Sequence, residues 1–416
     1  MGKVVFLIVD GMGDHPIKLL SNKTPLEYAN KVNINSLLSH AALAFPSVLG
    51  RLAPESDSGV MADLGYDPKK YSTGRGWFEC LGLGMNPKES DISLRVNIAE
   101  VSGSKLKSVR TYLSKGEFAE IEGAINKQVK LPLEFEFKAG EGYRGGLIIR
   151  DNKKRLSQFV SNNEPGYTVK FFGDKKLSFA SESKNKTVLK IKALRADAGF
   201  TAKILNQFIL ETNKVLLKTD VYKRRKAEGL PLPNYALLRD GAVHNPSLPN
   251  INKKYGKQWA AVVGMPLEKG IASAAGMSLM NINELGDLDE DLENKADSVS
   301  KAIDRYDAVY VHVKQTDALS HLGKYAEKYD VIERIDRILV YSILQKIDIS
   351  KGDTIVITCD HRTSSELRRH TNDNIPVLIA NRKFDRVKEF GETECKEHHL
   401  KNISKATEIM PFVMKL

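Results

Sequence analysis

The chain has 416 residues, 42% of them hydrophobic and 28% charged, which excludes a disordered protein and predicts a sizeable core. That length exceeds one ordinary domain and predicts two. The net charge of +11 is scattered, with short clusters at Lys223–Lys226 and Lys153–Arg155 and no nucleic-acid-binding signature, so it reads as a solvated surface or a field for small anions.

The first element is an apolar strand, Val4–Val9, ending on Asp10. It is too short for a membrane span and lacks the small-residue cleavage pattern of a signal peptide, so a cytoplasmic protein with no membrane partner is expected. Lys23–Ala42 has the apolar spacing of an amphipathic helix. The stretch from Ala53 to Gly84 reads as loop, short helix and turn, broken by glycine and proline. From about Asp91 to Leu194 the character changes to short strand-like runs, ISLRVNIAEV, LEFEFKAG, YRGGLIIR, YTVKFFG and KTVLKIKAL, with one helix over Lys115–Val129. Beyond Asp197 strands and helices alternate again: a helix over TAKILNQFILETNKVLLKT, strands at YALLRDG, WAAVVG, AVYVHVK and DTIVITCD, and a long helix over Glu327–Ile347. This pattern predicts an α/β domain, a mostly parallel sheet with helices on both faces, formed by residues 1–90 and 195–416 and interrupted by a smaller α+β domain over 91–194. Cys80, Cys359 and Cys395 fit no zinc or disulfide spacing and read as core thiols.

Six residues read as the liganding set of a two-metal phosphoryl-transfer site: Asp10, Asp317, His321, Asp360, His361 and His370. Asp10 and the Asp360-His361 pair follow apolar strands, where ligands of open α/β sheets collect. Asp10 taken alone also reads as a turn or helix-cap residue. Asp317 and His321 stand four apart and share a face if helical. His312, inside the preceding strand, reads as a core residue or as support for a ligand, and His398 and His399 read as surface. Carboxylate with imidazole suits manganese or zinc. Ser56 in APESDSGV is the candidate nucleophile, because a divalent cation would lower the pKa of its hydroxyl. Ser58 competes with it, and a helix cap is the plainer role for either. Arg75, Arg95, Arg144 and Arg239 each lie beside a strand or turn and can grip a phosphate or carboxylate with two hydrogen bonds, though each also reads as a surface arginine.

The order of VDGMGDHP, KTPLEYANKVNINSLL, LGYDPKKYSTGRGWFECLGLGM, LRVNIAEV, KGIASAAGM, VHVKQTDALSHLGK and CDHRTSSELRRHTNDNIPVLI resembles the archaeal-type, 2,3-bisphosphoglycerate-independent phosphoglycerate mutases of the alkaline phosphatase superfamily. The likeness runs the length of the chain and is weakest in the inserted region. It implies one metal on Asp317, His321 and His370 and a second on Asp10, Ser56, Asp360 and His361. The two ions would be manganese, magnesium, zinc or cobalt, and 2,3-bisphosphoglycerate would not be required. It implies that Ser56 is phosphorylated and released again as 3-phosphoglycerate and 2-phosphoglycerate interconvert in glycolysis or gluconeogenesis. Arg75, Arg95, Arg144, Arg239 and Lys314 would neutralise the substrate, and the inserted domain would cover it. A homo-oligomer is compatible with the resemblance. The chain departs from the family at Glu55-Ser56-Asp57-Ser58-Gly59-Val60, where Gly-Ser-Asp-Thr-Ala-His is usual, and at Arg362-Thr363-Ser364, where Ser-Thr-Pro is usual. These departures spare the metal ligands. They leave two alternatives: a phosphatase or phosphomutase for another small phosphorylated metabolite, and an inactive paralogue that binds metal and metabolite.

Overall fold

The computed structural model describes residues 2–180, 186–282, 287–381 and 387–416. The chain divides into two compact units, Met1–Pro68 with Leu248–Leu416, and Lys69–Ser247.

The first unit is built on a seven-stranded sheet. Val4–Val9 lies in its middle, paired in parallel with Ala308–Val313 on one side and Thr354–Thr358 on the other. Trp259–Val262 extends the parallel set beyond Ala308–Val313. All four strands are fully buried, as continuous apolar runs in a parallel sheet should be. Each buried Val, Leu, Ile or Phe among them contributes about 1.5–3 kcal/mol. Val377–Ala380 is the antiparallel exception, and Ala41–Ala44 pairs with it at the edge. Val9 aligns with Val313, and Ile8 with Thr358, so three neighbouring strands end at one edge of the sheet. The residues that follow those ends are therefore neighbours although some 300 positions separate them.

The expected helix over Lys23–Ala42 is broken into Pro25–Tyr28, Val32–Ser36, a 3-10 turn at Leu37–His40 and the strand Ala41–Ala44. Thr24 and Glu27 form a capping box that starts the first piece. The second piece starts on a tertiary acceptor, as the Asp336 carboxylate receives the Asn33 and Ile34 amides at 3.1 and 2.7 Å. The long helix expected at Glu327–Ile347 runs from Tyr325 to Leu344 and contains a π-helical turn, Ile335–Val340, that carries Asp336.

The second unit is antiparallel. Its longest strand, Ile92–Ser102, pairs with Arg144–Arg150, Lys105–Ser108 and Tyr235–Ala242, and Glu134–Ala139 adds to Arg144–Arg150. Ile92, Leu94, Val96 and Ile98 share a core with Phe118, Ile121 and Ile125 of helix Lys115–Gln128 and with Leu205 and Phe208 of helix Gly199–Leu216. The units thus divide at 68/69 and 247/248, not at the 90/91 and 194/195 boundaries read from composition. Two elements account for the difference. Helix Arg75–Gly82 lies on this sheet, with Cys80 Sγ 3.8 Å from the Leu94 carbonyl. The YALLRDG strand, assigned from its sequence to the parallel sheet, pairs antiparallel with Ile92–Ser102 instead. The segment KTVLKIKAL forms no strand and makes only isolated bridges at Thr187 and Ala193. Cys80, Cys359 and Cys395 are buried free thiols. Among the described residues no helix is long and apolar enough to cross a membrane.

Candidate metal centre and anion cluster

The three central strand ends of the first unit deliver three sets of polar residues. Asp10 follows Val4–Val9, Asp360 and His361 follow Thr354–Thr358, and Lys314 follows Ala308–Val313 and leads into helix Gln315–Leu322 with Asp317 and His321. A short antiparallel hairpin, Arg362–Ser364 with Arg369–Thr371, sets His370 opposite Thr363. Gly11, at φ +60°, bends the chain beyond Asp10, and a Cβ there would lie 2.5 Å from Thr363 Oγ1.

Asp317, His321 and His370 form one triangle. Asp317 Oδ1 is 3.3 Å from both imidazole Nε2 atoms, which are 3.2 Å from each other. Both Nδ1 atoms are committed, His321 to the Arg368 carbonyl at 2.9 Å and His370 to the Pro54 carbonyl at 2.8 Å. A carbonyl only accepts, so each Nδ1 carries the proton and each neutral Nε2 presents a lone pair. Three acceptors facing one another need a shared proton or a cation. A divalent ion about 2.1 Å from each would hold them about 3.0–3.4 Å apart, so the triangle fits one. The proton option also shows in the electrostatics: burial opposes protonation of His370, yet the hydrogen bond and charge of Asp317 push it up to about 9.

Asp10, Asp360 and His361 form the second group. His361 Nε2 lies 3.3 Å from Asp10 Oδ1, 3.4 Å from Asp360 Oδ2 and 3.4 Å from Ser56 Oγ. The Thr363 hydroxyl links the groups, 2.9 Å from Asp317 Oδ1 and 3.0 Å from His361 Nδ1. Its one proton goes to the carboxylate, so it accepts from Nδ1–H and again leaves Nε2 bare. Asp10 Oδ1 and Asp360 Oδ2 are buried without a hydrogen-bond donor among the described residues. Burial, then the charge of Asp10, pushes Asp360 up to about 8. A cation between the two carboxylates reverses that effect, so the donor set fits a second ion. Burial works against the Asp10 and Asp317 charges, but Lys314 holds both carboxyls below the usual range.

Ser56 and Ser58 separate cleanly. Ser56 is the first residue of helix Ser56–Asp63 and directs Oγ at His361 Nε2 and at Lys314 Nζ, 3.3 Å away. Ser58 donates to the Glu55 carbonyl at 2.9 Å and is spent within its own turn. Gly59 lets this helix approach the strand end, since a Cβ there would meet the Asp360 carbonyl at 2.3 Å. The helix N-terminus also favours an anion beside Ser56.

The arginines form a separate cluster in the second unit. Arg95 pairs across the sheet with Arg239, and Asn97 with Arg144. Arg75 Nε donates to Glu79 at 2.8 Å, and Arg95 lies 3.4 Å from the same carboxylate. Asn97 donates to Glu164 at 2.9 Å, and Arg239 Nε lies 3.8 Å from Glu164. The Arg239 guanidinium stacks 3.7 Å over Tyr167. Burial, then Arg239 and Arg75, pulls Arg95 down to about 10. The set is a concentration of positive charge, part of it answered by Glu79 and Glu164. Lys314, grouped with these arginines in the sequence, lies instead in the first unit, bonded to Asp10.

Sequence reasoning passed over Thr363, Glu79, Glu164 and Asn97. Thr363 had one signal, its place two residues after His361, and Glu79 another, its i+4 spacing from Arg75. Asn97 and Glu164 had none, because strand register places the first and the fold of the loop before Tyr167 the second.

A profile of the metalloenzyme superfamily matches residues 2–416. A Thermococcus kodakarensis protein named 2,3-bisphosphoglycerate-independent phosphoglycerate mutase is 33% identical over 423 aligned residues, covering 100% of this chain and 97% of its own. A protein of the same name from Metallosphaera sedula is 32% identical, covering 96% of this chain and 94% of its own. Among solved structures, a Pyrococcus horikoshii protein superposes with a TM-score of 0.79 at 27% identity, covering 100% of this chain and 97% of its own. The cofactor-independent phosphoglycerate mutase of Thermoplasma acidophilum gives 0.62 at 26% identity, covering 100% and 99%.

Proposed function

Because the chain belongs to the 2,3-bisphosphoglycerate-independent phosphoglycerate mutases, within the metalloenzyme superfamily, we propose that it is an isomerase interconverting 3-phosphoglycerate and 2-phosphoglycerate through phosphoserine at Ser56. The observation that carries this reading is the aim of the Ser56 hydroxyl, at His361 and Lys314 within two groups of converging ligand atoms.

Asp317, His321 and His370 would hold one divalent cation, and Asp10, Asp360, His361 and Ser56 a second. Manganese suits the mixed carboxylate and imidazole set best, with magnesium, zinc and cobalt as alternatives. When bound, the cations lower the pKa of the Ser56 hydroxyl and neutralise the phosphoryl oxygens. Ser56 Oγ loses its proton and attacks phosphorus, the P–O bond to the glycerate breaks, and the freed glycerate oxygen takes up one proton in exchange. Lys314, bonded to Asp10 and 3.3 Å from Ser56, is the cation placed to support the negative charge on Oγ before attack. The glycerate then presents its other hydroxyl, which loses its proton and attacks phosphoserine; the Oγ–P bond breaks and Ser56 Oγ takes a proton back. No diffusible bisphosphoglycerate enters the cycle. Arg75, Arg95, Arg144 and Arg239 are the proposed receptor for the substrate's anionic groups. Glu79 and Glu164 hold that receptor in shape before substrate arrives.

The test is an assay of purified protein with 3-phosphoglycerate and each of the four metals, reading 2-phosphoglycerate and free phosphate together. Isomer without phosphate release is expected, and Ser56→Ala should lose at least about 10⁴-fold in rate. Full isomerisation by the Ser56→Ala protein would remove the phosphoserine route. Phosphate released without isomer would make the enzyme a phosphatase.

A further inference from the structure

Among the arginines of the second unit stands a neutral phenol. Tyr143 closes the turn between strands Glu134–Ala139 and Arg144–Arg150 and is buried. The backbone holds that turn on two sides: the Tyr143 carbonyl accepts the Ile98 amide at 2.8 Å, and the Gly142 carbonyl accepts the Leu113 amide at 2.6 Å. Arg144 Nη2 donates to the phenol oxygen at 3.1 Å, and the guanidinium carbon lies 5.0 Å from the centre of the ring. On the mutase reading, we propose that the Tyr143 hydroxyl is a further substrate-binding residue, donating to a phosphate or carboxylate oxygen gripped by Arg95 and Arg144.

Three observations carry this. A guanidinium only donates, so the bond from Arg144 occupies a lone pair of the phenol and leaves its hydrogen unengaged. Among the described residues no carbonyl or carboxylate accepts that hydrogen. Next, the charge facing the phenol is of one sign. Burial works against a phenolate, yet Arg144, Arg95 and Arg110 outweigh it and hold the phenol below the usual tyrosine range. An O–H polarised in this way donates strongly to an anion that the same arginines attract. Finally, the segment beside the phenol is held in a strained shape. Tyr112 stands at φ +47°, with its ring edge-on to Tyr143 and the centroids 6.0 Å apart. A non-glycine residue keeps that conformation only where its surroundings impose it, and such places cluster at binding sites. Buried Arg225 imposes it here, donating to the Thr111 and Tyr112 carbonyls at 2.7 and 2.9 Å. Arg110, at the start of the segment, faces both phenols. The competing role for Tyr143 is a ring that supports the Arg144 guanidinium by stacking, for which the hydroxyl is irrelevant.

Tyr143→Phe separates the two roles, because it keeps the ring and removes only the hydroxyl. The probe is sulfate, titrated calorimetrically into the manganese-loaded full chain, with Arg95→Gln marking the part of the heat that belongs to the arginines. Tyr143→Phe is expected to weaken that binding about 10- to 100-fold, the worth of a hydrogen bond to a charged group. KM for 3-phosphoglycerate should rise by a similar factor while kcat changes less. Wild-type crystals soaked in sulfate should show an anion oxygen about 2.7 Å from Tyr143 Oη. Equal sulfate affinity in wild type and Tyr143→Phe would overturn the donor role and leave the mutase reading intact, and so would a sulfate on the arginines that does not touch Oη. Weakened sulfate binding in a chain that fails to isomerise 3-phosphoglycerate would keep the donor and remove the mutase reading. The soak needs only wild-type protein, so a variant that fails to fold does not blunt the test.

Discussion

The metal-ligand groups of the first unit and the arginine cluster of the second solve opposite problems of burial. In the first, lone pairs converge: Asp317 Oδ1 and two Nε2 atoms lie within 3.3 Å with their other ring nitrogens already bonded to carbonyls. Such a group is completed only by a shared proton or a cation. In the second, cations converge, but Glu79 and Glu164 answer part of the charge from within. On the proposed assignment, one cluster is incomplete without its cation, and the other is a prepaired receptor that an anion enters by competition with fixed acids. The supporting frames differ accordingly. Parallel strand ends place the metal ligands, whereas cross-strand registry on an antiparallel sheet places the arginines.

The sharpest way to break this comparison is to remove a ligand that only the cation needs. Asp317→Asn should lose the ion of its group and reduce the mutase rate roughly 10³-fold or more, since metal stabilisation of the transferring phosphoryl group is worth several kcal/mol. Ion content by plasma mass spectrometry and isomerase rate should fall together. An Asp317→Asn protein with full metal content and full rate would assign the triangle to a shared proton instead. Arg95→Gln should do the converse, leaving ion content unchanged and lowering kcat/KM for 3-phosphoglycerate roughly 10- to 100-fold. Arg95→Lys should restore only part of that, because an ammonium lacks the planar fork.

A smaller effect falls on the link between the two metal groups. Thr363→Val keeps the shape of the side chain but removes the donor to Asp317 and the acceptor for His361 Nδ1. Manganese affinity, measured by titration calorimetry, should weaken about 10-fold. An unchanged affinity would show that the imidazole of His361 is oriented by its packing alone, including its stack on His370 at 3.7 Å.

The sequence was informative about the metal groups for the same reason that the geometry is rigid. Val4–Val9, Ala308–Val313 and Thr354–Thr358 are mostly apolar, buried runs, and each is followed within two residues by a charged side chain. Once those runs are read as parallel neighbours, Asp10, Lys314 and Asp360 must meet. The arginine cluster had no such signal, because antiparallel pairing turns on which strands adopt each other as partners. YALLRDG looks like any half-buried strand, and only its pairing with Ile92–Ser102 brings Arg239 opposite Arg95. The same blindness misplaced the domain boundaries.

The comparison also fixes how the arginine cluster should respond to pH. Burial works against the Glu79 charge, but Arg75, Arg95 and Arg144 outweigh it and hold the carboxyl below the usual glutamate range. A carboxylate with a lowered folded-state pKa stabilises the fold above the ordinary glutamate value, and that contribution is lost as pH falls through the lowered one. Protonating Glu79 leaves the arginines less answered, so an added anion should then bind more tightly. Sulfate at about five times its dissociation constant should add about 1 kcal/mol to the stability of the folded chain. That increment, read from thermal melts at fixed sulfate, should grow as pH is lowered through the acid range and should lose its pH dependence in Glu79→Gln. A sulfate effect equally steep in both proteins would mean that another acid, Glu164 first, supplies the counter-charge that a substrate displaces.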